Sequence, residues 1–526
     1  MRNPLNLNNG RLSWILAVGL VGVLLAVFCT AGAADEGPRF TVSGFVIDGQ
    51  SPIGAAGVER ALAPYTGRPI VFADLEAAAD ALASAFLDAG YPFHRVSVPP
   101  QRIVEGRVRL KVVGYALKDV RVEENRHFDA ENLLASLPPL EPGRTPNTLA
   151  VARALQFANQ HPAKRVAVFV KQAGAGEGID ARVMVQDARP YTVFGSLNNT
   201  GTRDPARTRA GLGFQHSNLF NRDHILTATY TTSPESLDDV SQYGLDYRAP
   251  LYGIATELEF FYSYSEVDQG SIANFFDVSG RGQFYGFSAT HTLLPIGAYS
   301  HKAALGYQDR FFDNETRFAG TSLIPDVRST PVSLRYSLLY EPRQIALGAY
   351  AAWAFNAGFG SHNDSASYRA NREGADPDWH KFNGGGHLRW TLPGDVQLRA
   401  RIDGQYAGRP LISGEQFGVG GSASVRGYEE RELTGDSGIQ ASFELWSPPL
   451  ILDGRLALFA DAGEVYRQRP HTAMARHQDA YSLGVGLRWN WKGFVDVHLD
   501  LAQALEDAIT TESGDTRVLY RIFLRY

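Results

Sequence analysis

The sequence predicts an exported protein with two small α+β modules followed by a sixteen-stranded antiparallel transmembrane β-barrel. Three observations carry this reading. The first thirty-three residues have the layout of an export signal, two stretches (39–114 and 115–188) share one order of strands and helices, and from Tyr191 to Tyr526 the chain alternates apolar and polar residues.

In the first stretch Arg2 and Arg11 supply positive charge, Trp14 to Phe28 an apolar run, and Ala31-Gly32-Ala33 a small-residue cleavage site, so residues 1–33 read as a signal peptide. Cys29, the single cysteine, falls within it. The mature chain then has no thiol, which excludes disulfides, thiolate metal sites and cysteine nucleophiles. No later run reaches the ~20 apolar residues of a membrane-spanning helix. A formal net charge of −6 gives no reason to expect a nucleic-acid partner.

In the first module Phe40 to Ile47 alternates as a strand. Helical pieces follow at Val58 to Ala63 and Asp74 to Ala89, the second with Leu75, Ala78, Ala79, Leu82 and Phe86 on one face and Gly90 as its stop. Strands at His94 to Val98 and Arg107 to Val113 complete it. The same order returns at Asp119 to Glu123 (strand), Asp129 to Ser136 and Asn147 to Asn159 (helices), and Arg165 to Lys171 and Ile179 to Gln186 (strands). Gly90-Tyr91, Pro99-Pro100-Gln101, Gly106 and Val108 to Val113 resemble the POTRA domain of two-partner secretion transporters. Ala158, Asn159 and Pro162 match the turn of a second copy. Such a module has an open sheet edge, to which an extended chain can add as a strand.

Within 189–526 the period of two is plainest in four strands. Val396, Leu398, Ala400 and Ile402 alternate with Gln397, Arg399, Arg401 and Asp403; Tyr481 to Trp491 alternates apolar residues with Ser482, Gly484, Gly486, Arg488 and Asn490. Val495 to Leu501 alternates with Asp496, His498 and Asp500, and Val518 to Tyr526 with Arg521 and Arg525. One face is continuously apolar and ends in Trp or Tyr; the other is charged. That is the pattern of a barrel with a lipid-facing exterior, aromatic girdles and a polar lumen, because only closure satisfies every backbone group in lipid. Segments begin near residues 190, 206, 224, 241, 255, 280, 301, 331, 343, 380, 395, 438, 454, 479, 493 and 516, with the weakest pattern between Phe275 and Asn383.

One stretch breaks the rhythm. From about 405 to 438 no period is visible, and Gly420 to Glu430 is glycine-rich and charged. A loop of that length is functional or disordered. Gly427 beside Arg426 allows close backbone approach, so that the guanidinium can present its fork to a carboxylate. On the segment 456–465, Leu456, Leu458, Ala460 and Ala462 take the lipid face, which turns Phe459 and Asp461 to the lumen.

Two such modules before a sixteen-stranded barrel resemble the TpsB transporters of two-partner secretion, within the superfamily that includes the barrel-assembly insertase. Asn198 to Thr202 (NNTGT) and His216 to His224 (HSNLFNRDH) match as well. The resemblance implies that Val425, Arg426, Gly427 and Tyr428 form a motif at the tip of an inward-folded loop. Its implied partner motif on the barrel wall is Phe459, Asp461 and Gly463. It also implies an outer-membrane protein with its modules in the periplasm, which captures an unfolded exoprotein bearing an N-terminal secretion domain. That β-helical, haemolysin- or adhesin-type partner would fold outside. Tyr526 resembles the terminal signal read by the barrel assembly machinery. Relatives carry a plug helix before the first module; the few residues between Ala33 and Phe40 leave no room for one here, so gating is expected to fall to the long loop.

No G-x-S-x-G, H-E-x-x-H or P-loop is present, and the thirteen histidines lack metal-ligand spacing. Gly174 to Gly178 (GAGEG) is read as a turn between strands, since no helix follows it. No catalytic residue, metal or cofactor is expected. The alternative reading is an assembly factor that inserts other barrels, which would usually carry three to five periplasmic modules; a passive porin would need neither the modules nor the loop.

Overall fold

The computed structural model describes residues 39–526, apart from 174–177, 202–205, 239, 266–269, 273–275, 279–280, 314–316, 319–320, 323–325 and 470–474. The expected signal peptide at 1–33 and the segment expected to lack a plug helix lie outside the described residues, as do Thr202 and most of the 174–178 turn. Residues to Gly114 form one compact unit and Tyr115–Tyr526 a second.

In the first unit a sheet ordered Gly44–Asp48, Arg107–Gly114, His94–Ser97 packs against helices Gly54–Leu62 and Phe72–Asp88. The expected stripe of the longer helix (Leu75, Ala78, Ala79, Leu82 and Phe86) is buried. Asp74 accepts the Val71 N–H at 2.9 Å near its start, and Gly90, at φ +87°, ends it. The expected single strand over Phe40 to Ile47 is corrected to two, Phe40–Thr41 and Gly44–Asp48. The break comes from the turn at Glu105 and Gly106, both at positive φ: Gly106 C=O takes the Ser43 N–H at 2.8 Å and Glu105 C=O the Ser43 hydroxyl at 2.7 Å. The first helix also begins earlier than expected, at Gly54, because the small residues of Gly54 to Gly57 hide a helical turn that carries no apolar stripe.

Residues 115–188 repeat this build. The sheet order is Leu117–Glu123, Ile179–Asp187, Lys164–Gln172, with helices Ala130–Ala135 and Thr148–Ala158 capped by Asp129 and Asn147, whose side chains accept N–H bonds at 2.8 and 2.9 Å. The Asp187 carboxylate takes the N–H groups of Arg126, His127 and Phe128. Burial pushes its pKa up, but these three donors outweigh it and hold the group below the usual carboxylate value. In each module an amide side chain stands in for a missing strand. Gln101 bonds both the N–H and the C=O of Arg109 (2.7 and 2.8 Å), and Asn159 does the same for Val166 (2.6 and 2.9 Å).

Sixteen antiparallel staves close the barrel. They begin at 191, 209, 224, 241, 256, 282, 299, 331, 345, 380, 397, 437, 455, 477, 495 and 516, each within three residues of the sequence expectation. Val327–Ser329 pairs with the outer end of Tyr299–Phe312 and prolongs the stave Pro331–Tyr340, so it adds no seventeenth. Outward residues such as Leu212, Phe260, Leu305, Leu334, Leu458 and Leu483 are exposed, as a lipid-facing band requires. The seam between the last and first staves has five register pairs, against eight between the first and second. Mutual backbone bonds between Val193 and Tyr526 (3.0 and 2.9 Å) prolong it to the last residue.

The second module is locked to the barrel around Asp223, inside the HSNLFNRDH stretch. This turn carries Phe220, Asn221 and Asp223 at positive φ, a conformation that Asn and Asp tolerate. Asp223 is fully buried and accepts from Lys164 Nζ (2.5 Å), the Tyr252 hydroxyl (2.5 Å) and Asn132 Nδ2 (2.9 Å). Two module residues thus reach a turn between the second and third staves. Burial lowers the Lys164 pKa while Asp223 opposes the shift, and burial depresses His161, beside Asp223, to about 4.

Candidate functional site

The long loop follows the eleventh stave, Gln397–Ala407, at the outer rim, and folds back into the barrel. Part of it is regular, contrary to the expectation of no pattern from 405 to 438: Phe417–Val419 and Leu433–Gly435 pair as a short hairpin. Strands of three residues are too short to show a period. The tip between them lies against the wall formed by Ser437–Trp446, Arg455–Tyr466, His477–Trp491 and Val495–Ala504. Val419, Val425, Tyr428 and Leu433 pack there on Val465, Ala480 and Ala504.

The structure brings together the residues of the loop motif and of the wall motif singled out in the sequence. Arg426 donates from Nε and Nη2 to the two oxygens of Asp461 at 2.7 and 2.8 Å, and its backbone N–H reaches the same carboxylate at 3.1 Å. The Asp461 side chain is fully buried and that of Arg426 is 5 % exposed, so the pair is bidentate and dry. The guanidinium lies 3.4 Å over the ring of Phe459. Gly427, at φ +100°, lets the tip turn with its Cα side against the backbone of Ala504. A Cβ on Gly463 would stand 2.6 Å from Val419 and 3.0 Å from Val425, so a bare backbone is needed where the loop seats. The Tyr428 hydroxyl sits 2.9 and 3.0 Å from the carbonyls of Tyr481 and Glu506 and accepts from their N–H groups.

Four participants were not picked out as partners of the loop in the sequence, among them Ser442, which accepts from Arg426 Nη2 at 3.1 Å. Glu444 accepts from Arg426 Nη1 at 2.6 Å and from the Trp446 indole at 2.6 Å. Asp500 lies 3.7 Å from Arg426 and 2.7 Å from Arg488. Three carboxylates therefore face two guanidinium groups, a formal charge of −1. Burial opposes the charge of Arg426, but Asp461, Glu444 and Asp500 outweigh it and raise its pKa. Alternation placed Asp500 and Arg488 on the lumen face; what it lacked was the curvature that brings separate staves around one loop tip.

The rest of the loop is tied down by its own acids. Glu415 is held by Arg310 (3.1 Å) and Lys381 (2.9 Å), Glu429 by Arg207 (3.1 Å) and Arg517 (2.5 Å), and Asp436 by Arg372 and the Leu411 and Gln468 N–H groups. Beneath the tip a cavity of about 800 Å³ remains in the lumen.

A family model described as haemolysin secretion/activation protein ShlB/FhaC/HecB matches residues 177–489, and one for the ShlB-type POTRA domain matches 40–114. The heme/hemopexin transporter protein HuxB of Haemophilus influenzae is 20 % identical over 85 % of this chain and 80 % of its own length. The outer membrane transporter CdiB of Escherichia coli is 23 % identical over 86 % of this chain and 76 % of its own. In fold, CdiB from Escherichia coli superposes with a TM-score of 0.74 at 17 % identity, covering 94 % of this chain and 92 % of that one; CdiB from Acinetobacter baumannii gives 0.70 at 17 %, covering 93 % and 91 %. The chain belongs to the ShlB/FhaC/HecB family, the outer-membrane transporters that carry exoproteins across that membrane in two-partner secretion, with POTRA domains in the periplasm.

Proposed function

We propose that this transporter is gated by its long loop, with Val425, Arg426, Gly427 and Tyr428 as the seat and Phe459, Asp461 and Gly463 as the wall that receives it. The observation that carries this reading is the buried, bidentate Arg426–Asp461 pair. A solvated loop charge would not be stripped of water and stacked on an aromatic ring. The two modules, 39–114 and 115–188, capture an unfolded exoprotein with an N-terminal secretion domain, through the open edges of their sheets. The client is a β-helical protein of haemolysin or adhesin type whose folding outside supplies direction. The chain performs no chemistry on it. Outer-membrane lipid surrounds the barrel, and the assembly machinery reads the strand ending in Tyr526.

The test is secretion of the exoprotein by a variant lacking residues 40–114, with the barrel inserted at normal level. Loss of secretion is expected; unchanged secretion would refute capture by the first module. The assembly-factor reading predicts instead that such a variant lowers the level of other barrels in the membrane.

A further inference from the structure

The lumen carries a second charged wall, which the loop touches through the Ala423 C=O, 3.5 Å from Arg401 Nη1. The tenth stave, His380–Thr391, returns to the periplasmic rim and the eleventh, Gln397–Ala407, leaves it. Near that rim Arg389 and Arg399 are register partners, with His387 opposite Arg401 one lumen-facing step further in. Like charges placed directly across two strands repel, yet among the described residues no carboxylate lies within ion-pair distance of Arg389 or Arg399. Glu444, the register partner of Arg399 on its other side, gives its two oxygens to Arg426 and Trp446.

Aromatic rings hold the wall open. The Arg399 guanidinium stacks 3.5 Å over Trp446, and Arg335, three staves away, stacks 3.8 Å over Tyr350. Stacking fixes the plane of the fork, and Arg399 gives Nε and Nη2 to the Gln397 side-chain oxygen at 3.2 and 2.9 Å, which leaves Nη1 for a ligand. Arg389, Arg399, Arg401 and His387 line the 800 Å³ cavity, and a neighbouring cavity of about 500 Å³ shares His387 and Arg401 and adds Lys302 and Arg335. Asp403, on the eleventh stave, is paired with Arg401 at 2.5 Å, and Glu341 lines the larger cavity outside ion-pair distance of Arg389 and Arg399.

We infer that Arg389 and Arg399, flanked by Arg401 and His387, form an oxyanion-binding site on the periplasmic side of the lumen. It takes carboxylates, and their source is the Asp and Glu side chains of the chain in transit. The adjoining acidic wall is occupied by Arg426, so the basic wall is the one left for a passing segment. Binding by exchangeable, water-exposed arginines is transient, which suits a path that must release what it holds. The inference deepens the transport reading but does not need it for its first test.

That test uses the full chain with Thr391→Cys, a lumen-facing position two residues from Arg389, in a Cys29→Ala background. The rates of modification by an anionic and a cationic thiol reagent are compared in the folded, membrane-embedded protein. Replacing Arg389 and Arg399 by Gln is expected to lower the anionic-to-cationic rate ratio about fivefold or more. A folded variant, shown by heat-modifiable electrophoretic mobility, with an unchanged ratio overturns the site and leaves transport untouched. If the double variant does not fold, Arg389→Gln alone is read, since Arg389 gives up no ion pair. In the second arm a glutamate-rich peptide, and not a lysine-rich one, should slow modification of the arginine-bearing protein. Equal protection by inorganic phosphate alone would assign the site to free anions and overturn its assignment to the passing chain. Lost secretion with an unchanged rate ratio would count against this site and leave the gating reading to be judged by the loop variants.

Discussion

Replacing Arg426 by Ala removes a two-pronged bond to Asp461, an ion pair of 2.6 Å to Glu444 and the stack on Phe459. It leaves three carboxylates facing Arg488 alone, so the formal charge falls from −1 to −2. Removing one partner of a buried ion pair costs ~3–5 kcal/mol. That cost falls on the docked loop, so the docked-to-undocked ratio should drop by ~10²–10⁴. Asp461→Ala acts differently. Two guanidinium groups then face Glu444 and Asp500, the charges balance, and the cost should be nearer ~1–3 kcal/mol. The double variant returns the charge to −1 and should be no worse than Arg426→Ala, which gives a coupling energy of ~2 kcal/mol. Arg426→Lys keeps the charge but loses the fork and should retain part of the function. The assay is threefold: protease cleavage of residues 418–432 in outer-membrane vesicles, single-channel conductance, and secretion of the exoprotein. Cleavage and conductance should rise and secretion fall in the order set by these costs. If Arg426→Ala and Asp461→Ala show wild-type values in all three, the pair does not hold the loop.

Other consequences are open to direct measurement. Gly463→Ala places a methyl group into Val419 and Val425 and should raise resting conductance, at a docking cost of ~1–3 kcal/mol. Tyr428→Phe strips the partners from backbone groups of Tyr481 and Glu506 and should cost ~1–3 kcal/mol, read as faster amide exchange at those residues. Lys164→Met leaves Asp223 buried without its cation and should free the second module from the barrel, at ~3–5 kcal/mol, seen as new protease cleavage near 188–190. The same junction is pH-sensitive. Burial holds His161 at about 4 against 6.5 when unfolded. The unfolded state therefore binds the extra proton between these values, and stability falls as pH drops through that window. At pH 5 the loss is ~2 kcal/mol, measurable as weaker exchange protection over 217–223 than at pH 7.5.

The barrel was legible because a period of two leaves a mark on every stave. Even the span from Phe275 to Asn383 yielded its strand starts within three residues. The Arg426–Asp461 pair was legible for a mixed reason: alternation turned Asp461 inward, and the family resemblance paired it with the loop. Alternation tells which face a side chain takes, not which staves share a depth. That is why Glu444 was missed although Gln440, Ser442 and Glu444 alternate against Ala441, Phe443 and Leu445. The Phe40–Thr41 break was invisible for the opposite reason. Its alternation runs on unbroken, and the kink is imposed by a turn more than sixty residues away. The module–barrel lock was hidden too, since Asp223, Lys164 and Asn132 are ordinary surface residue types until a fold buries them.

The seam has a consequence for how the molecule comes into being. Its first stave is made long before its sixteenth, so the ring cannot be completed before Thr516–Arg525 has been synthesised and delivered. Until then two strand edges carry unmatched N–H and C=O groups, which hydrocarbon does not tolerate. With five register pairs plus the Val193–Tyr526 bonds, the final residue supplies a sizeable share of the closing stitches. Any chain added beyond it would run alongside Thr192 and Tyr191 at the periplasmic rim rather than trail into water. A tag fused there becomes part of the wall, and one removed residue leaves the ring open by a notch.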